Sequence, residues 1–127
     1  MPLVRIHVPQ GGSAEYRSAI AEVVYSAMVS LLNVPKEDRF HVISEHASTD
    51  LVMSPTYLGI HRDENAIIIQ VTLNEGRATV ELKKAFYKAV ADGLHERLGM
   101  RRENVFINLI EVKKENWSLG NGEAQYA

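Results

Sequence analysis

The proline directly after the initiator methionine has the most distinctive chemical capacity in this chain. Its small size normally allows Met1 to be removed, which leaves Pro2 with a free cyclic secondary amine. α-Amino groups titrate at about 7.7–8.0, and apolar surroundings lower that value by disfavouring the cation. Such an amine is a general base when neutral and a general acid when charged. It can also attack a carbonyl to form an imine. If Met1 is retained, the Pro2 nitrogen is an amide and none of this chemistry is open to it. Proline also follows methionine in many proteins that have no catalytic amine.

Three further residues are candidates. Arg77 stands beside Gly76 in a loop before a helix, where a guanidinium can grip a carboxylate with two parallel hydrogen bonds. The same loop suits a solvated arginine with no ligand. Asp38 can act as a base or orient water, or it can simply complete the turn that begins at Pro35. Trp117, the only tryptophan, can wall an apolar pocket or serve as a packing residue. Arg39, next to Asp38, reads as half of a surface ion pair. The five histidines are scattered and no His–carboxylate spacing fits a metal, so no metal site is expected. There is no nucleophile elbow, phosphate loop or dinucleotide fingerprint. No cofactor is expected.

The elements that must position these residues come in two copies at an offset of 66. Leu32 matches Leu98, Glu37 matches Glu103, Ile43 matches Leu109, Glu45 matches Glu111 and Ser13 matches Thr79. A fixed period marks a repeated supersecondary unit. In the first copy, residues 3–8 alternate as a half-buried strand, Ser13 caps a helix reaching Leu32-Asn33, and 39–45 form a second strand. In the second, 66–73 read as a strand buried on both faces. A helix follows from about Thr79 to Leu98 and stops at Gly99, and a last strand carries Val105, Ile107 and Leu109 on one side.

The fold expected is α+β. Two β-α-β repeats, about 2–45 and 66–111, are joined by a connector over 46–65 in a single domain, 1–127. Each repeat crosses over through a helix, so its strands should be parallel. The result is a four-stranded sheet with two helices on one face. Apolar residues such as Val4, Ile6 and Ile107 suggest that the other face needs cover, so a homo-oligomer is expected.

Composition narrows the class. The chain of 127 residues is 46% hydrophobic and 24% charged, enough for a core and ordinary for a soluble domain. A net charge of −2 gives no electrostatic case for nucleic acid or a membrane surface. Cysteine is absent, and neither a membrane-length apolar run nor a signal peptide is recognisable. These traits suit the cytoplasm.

Several stretches together resemble the tautomerase superfamily, whose members use an N-terminal proline as catalytic group. They are Pro2-Leu3, the run 34–40 entering the second strand, Glu45-His46, Leu58-Gly59-Ile60 and, most specifically, the tail 117–125, WSLGNGEAQ. The branch containing malonate semialdehyde decarboxylase is the most similar. The resemblance implies Pro2 as catalytic acid or base and Asp38 as its helper with water or protons. It implies Arg77 for a substrate carboxylate, and Trp117 and Leu119 as an apolar wall. Leu119 stands where the decarboxylases have phenylalanine, and Arg77 stands where they have two arginines. The resemblance further implies a trimer with pockets near its interfaces and a small carboxylate substrate. Expected activities are keto–enol tautomerisation of a 2-oxo or 3-oxo acid or, in its place, decarboxylation or hydration of a 3-oxo acid such as malonate semialdehyde. A non-catalytic trimeric binding protein is a third reading.

Overall fold

The computed structural model describes residues 2–127; the fate of Met1 lies outside the described residues. Strand β1 is Leu3–Pro9, helix α1 Ala14–Leu31, β2 His41–His46, β3 Ile67–Asn74, α2 Val80–Leu98 and β4 Val105–Val112. The helices begin where capping chemistry requires. The Ser13 hydroxyl accepts the Tyr16 N–H at 3.0 Å and Thr79 accepts the Leu82 N–H at 3.2 Å, each relieving an orphan donor. Helix α2 ends at Gly99, whose φ of 66° is the left-handed conformation that a side chain disfavours. The second strand starts two residues later than its apolar pattern suggests: the turn closed by the Asp38 N–H on the Pro35 carbonyl continues into Arg39, whose N–H bonds back to the Glu37 carbonyl.

The sheet order is β2-β1-β3-β4. β1 pairs parallel with β2 and β3 parallel with β4, as helical crossovers demand. The two repeats meet antiparallel through β1 and β3, with Leu3 opposite Thr72 and Ile6 opposite Ile69. Both helices lie on one face. Val4, Ile6, Val8, Ile67, Ile69, Val71 and Leu73 are buried beneath them, with Ile20, Val24 and Met28 of α1 and Phe86, Val90 and Leu94 of α2.

Strand β3 is buried along its helix face, whereas on its other face Ile68, Gln70 and Thr72 are half-buried in the single chain and Asn74 is buried. One expectation needs correction. Val4, Ile6 and Ile107 are not on the bare face: alternation turns them to the helix side, where Val4 and Ile6 are buried and Ile107 packs against the same core. The apolar residues left open on the sheet include Val42, Phe106 and Ile110, at 45%, 43% and 37% exposure. They share that face with polar residues, among them Gln70, which donates to Asn108 at 3.0 Å.

The duplication extends to side-chain contacts. In the first repeat the Glu45 carboxylate accepts the Gly11 N–H at 3.3 Å and pairs with Arg17. In the second, Glu111 accepts the Gly76 N–H at 3.2 Å and pairs with Lys83. Each strand-end glutamate thus ties down the loop that leads into its own repeat's helix. Among the described residues, no helix is long and apolar enough to cross a membrane.

Candidate active site

The sheet register defines one end of the molecule around Pro2. Pro2 is buried and leads directly into central strand β1. On one side the Val4 N–H bonds the Phe40 carbonyl at 3.0 Å and Val4 lies level with His41, so the turn carrying Asp38 borders the start of β1. On the other side β3 runs antiparallel. Continuing its pairing beyond Leu3 and Thr72 sets Pro2 level with Leu73, with Asn74 and the Glu75–Arg77 loop just past it. Antiparallel pairing at the centre of the sheet is what brings the exit of β3 to the entrance of β1.

Arg77 approaches this end from the helix side. One of its Nη groups donates to the Asn33 carbonyl at 2.9 Å, at the C-terminal end of α1, where helix carbonyls carry partial negative charge. Asn33 offers that carbonyl from a left-handed backbone, φ 55°. The Arg77 Nε is buried and has no hydrogen-bond partner. The loop itself is held by Glu111, whose carboxyl lies below the usual range because the Lys83 ammonium bonds it, with the Gly76 N–H adding to the effect and burial opposing it.

Trp117 approaches from the opposite face. Its indole N–H donates to the Asn74 side-chain oxygen at 2.7 Å, and Asn74 follows Thr72 and Gln70 on the open side of β3. The short turn Lys114–Asn116 links β4 to Trp117, and the bond to Asn74 ties the indole to the end of β3. Leu119 is 41% exposed and lies outside the core. Its N–H bonds the Gln125 side-chain oxygen at 2.9 Å, while the Gln125 amide donates to the Gly120 carbonyl at 2.8 Å. Gly120, Asn121 and Gly122 all take positive φ, so the glycines and the glutamine of the tail motif together build one tight loop.

Pro2, Asp38, Arg77 and Trp117 therefore lie at one end of the sheet, whereas the bonds of Leu119 run within the tail loop. Sequence reasoning missed Asn33, Asn74 and Gln125 as partners. Gln125 could have been suspected from its place in the tail motif; the two asparagines carry no local signal. Arg39 takes the structural place expected of it, paired with Glu22 and stacked 4.5 Å over the Tyr25 ring. The histidines are less scattered than expected: His7 and His46 meet at the far end of β1, 2.8 Å apart.

Two family profiles, each described as a tautomerase enzyme, match residues 38–120 and residues 2–60. The chain belongs to the tautomerase superfamily. Its place there is in the branch that includes malonate semialdehyde decarboxylase. This tautomerase-family chain is 38% identical over 125 residues to probable tautomerase YusQ of Bacillus subtilis (strain 168), covering 98% of each protein. The crystal structure of FG41 malonate semialdehyde decarboxylase inhibited by 3-bromopropiolate superposes with a TM-score of 0.89 at 35% identity. That match covers 98% of this chain and 93% of the other. A fused 4-OT described as a symmetric trimer superposes with a TM-score of 0.78 at 25% identity, covering 98% and 97%.

Proposed function

We propose that this protein is an enzyme that uses the Pro2 amine, freed by loss of Met1, as an acid–base catalyst of keto–enol tautomerisation on a small 2-oxo or 3-oxo carboxylic acid. The observation that carries the reading is the buried Pro2 at the start of the central strand, bordered by the Asp38 turn and the Arg77 loop. The neutral amine accepts the enol hydroxyl proton as the carbonyl forms, and the ammonium so produced returns a proton to the adjacent carbon, which restores the neutral base. Burial favours the neutral amine and so keeps a base at hand near neutral pH. Arg77 holds the substrate carboxylate from the helix side, with its unpartnered Nε as a donor that a ligand can satisfy. Asp38 orients the water or proton at the β2 edge, and Trp117 with Leu119 forms the apolar wall.

Decarboxylation or hydration of a 3-oxo acid is the second reading, favoured by the 35% identity to a malonate semialdehyde decarboxylase. There a charged Pro2 polarises the carbonyl while Asp38 activates water. The bare apolar residues of the sheet support a homotrimer, in keeping with the trimeric fused 4-OT.

Ketonisation of phenylenolpyruvate, followed by loss of enol absorbance, tests the principal reading on protein whose intact mass shows Met1 removed. Pro2→Ala should lower the rate by about 10²–10⁴-fold, the contribution of a positioned acid–base group. An undiminished rate in that variant would remove Pro2 from the mechanism.

A further inference from the structure

Asn74 and Asn104 are buried polar residues among the described ones, and their surroundings differ in kind. Asn104 is enclosed in a structural network, bonded through its side chain to both the backbone and the carboxylate of Asp63. Asn74 is 5% exposed and ends β3 at the Pro2 end of the sheet, where its side-chain oxygen receives the indole N–H of Trp117 at 2.7 Å. An indole has one donor and no acceptor, so this bond uses all of its hydrogen-bonding capacity. The indole itself is only half-buried. Its polar edge is thus fastened to the strand end while part of the residue stays open to solvent.

We propose that Asn74 is a positioning residue: by pinning the Trp117 indole at the open-face side of the Pro2 end, it sets which side chains the site accepts on its substrate. This rests on the reading of Pro2 and Trp117 as parts of one site. Asn74 fastens the indole to the sheet, and Gln125 braces the Leu119 backbone within the tail itself. Segment 113–119 packs no side chain into the principal core, so these bonds, with the short turn before Trp117, set its position. The length of the residue at 74 matters. Asparagine carries its oxygen one methylene closer to the backbone than glutamine, which brings the indole down onto the strand end. A substrate with an aromatic or branched group reaches that wall; pyruvate, with a methyl group, makes little contact with it.

Two readouts test the idea without relying on turnover. Trp117 is the only tryptophan, so intrinsic fluorescence reports on it alone. Asn74→Leu keeps the size of the side chain and removes the acceptor; Asn74→Asp keeps an acceptor. Asn74→Leu should red-shift the emission and raise acrylamide quenching, and Asn74→Asp should restore most of the native values. Calorimetric titration with phenylpyruvate and with pyruvate reads selectivity. Asn74→Leu should weaken phenylpyruvate about threefold to tenfold, the range expected from one lost hydrogen bond, and leave pyruvate nearly unchanged. Trp117→Phe, which removes the donor without altering residue 74, should reduce the same selectivity if Asn74→Leu proves unstable by circular dichroism. Native-like emission and quenching in folded Asn74→Leu would overturn the pin. Equal weakening of both ligands, or a native preference in both folded variants, would overturn its role in selectivity. Native phenylpyruvate binding with no ketonisation would count against the proposed reaction and leave the pin standing. Failure of the native protein to bind either acid would overturn the selectivity role together with the site reading, whereas the fluorescence result judges the pin by itself.

Discussion

Replacing Arg77 by alanine should produce two losses of different size, because the structure gives the side chain two tasks. The first is structural. Arg77 bonds the Asn33 carbonyl at 2.9 Å, and a hydrogen bond from a charged group contributes about 1.5–3 kcal/mol. Partial exposure of the residue argues for about 1.5. The favourable position of a cation at the end of α1 adds about 0.3–1 kcal/mol. Against this, alanine removes the buried Nε that has no partner, which recovers about 1 kcal/mol of desolvation cost. The net loss is about 1 kcal/mol, or roughly 3–5 °C in Tm for a chain of this length. The second task is substrate binding. Losing a charged contact to a carboxylate costs about 1.5–3 kcal/mol, which raises KM by about 10- to 150-fold. Arg77→Lys, which keeps the charge but not the fork, should fall between. The assays are differential scanning calorimetry and initial rates of phenylenolpyruvate ketonisation. An unchanged KM with a lowered Tm would show Arg77 to be a tie for α1 and nothing more. A raised KM with an unchanged Tm would refute the energetic weight given to the Asn33 bond.

Other consequences follow from packing, protonation and assembly. A Cβ on Gly93 would lie 2.8 Å from Cγ1 of Val23, so Gly93→Ala should lose about 1–3 kcal/mol to overpacking, outweighing its helix-propensity gain of about 1 kcal/mol; a higher urea midpoint would contradict this. Burial holds the His41 imidazole below its ordinary value of 6.5, with Arg39 adding to the effect and Glu22 opposing it. The fold thus favours neutral His41, and the resulting stability is present above the ordinary value and is lost as pH falls from there through the folded one. His41→Gln should flatten the decline of Tm below pH about 6.5, leaving a remainder from His7, which burial, His46 and Arg5 shift in the same sense; an unaltered slope would count against the assignment. Light scattering should give three times the chain mass of 14.2 kDa, and a particle of single-chain mass would exclude the trimer.

Much of the fold was legible because it is written in local spacing. Ser13 and Thr79 are capping residues at matched places, and Gly99 is a helix stop. The apolar periods of α1 and α2 identify the faces that meet the sheet. The offset of 66 also pairs Glu45 with Glu111 and Arg17 with Lys83, the contacts that hold both loops. The cover over the second face of β3 is not legible in the same way, because a run of Ile-Ile-Ile looks the same whether one face is covered or two; only the number of layers over the sheet distinguishes them. The residues of the bare face were misassigned for a related reason. Alternation shows that Val4 and Ile6 share a side, and says nothing of which side the helices take.

The amino-acid sequence by itself determined that Pro2 stands at the head of a strand and that two β-α-β units of like design follow. It also placed Arg77 in the loop after the third strand and Trp117 in a tail rich in glycine. Tertiary structure alone decided that these share one end of the sheet. Pro2 comes to the Arg77 loop because the two repeats join antiparallel through β1 and β3, a choice that neither repeat contains. The bonds that aim the side chains span long separations: Arg77 reaches back 44 residues to Asn33, and Trp117 reaches back 43 to Asn74. Local periodicity specifies the face on which a side chain lies within its own element. The partner it finds depends on how separate elements are ordered, directed and registered, and that is settled by burial of the whole core at once.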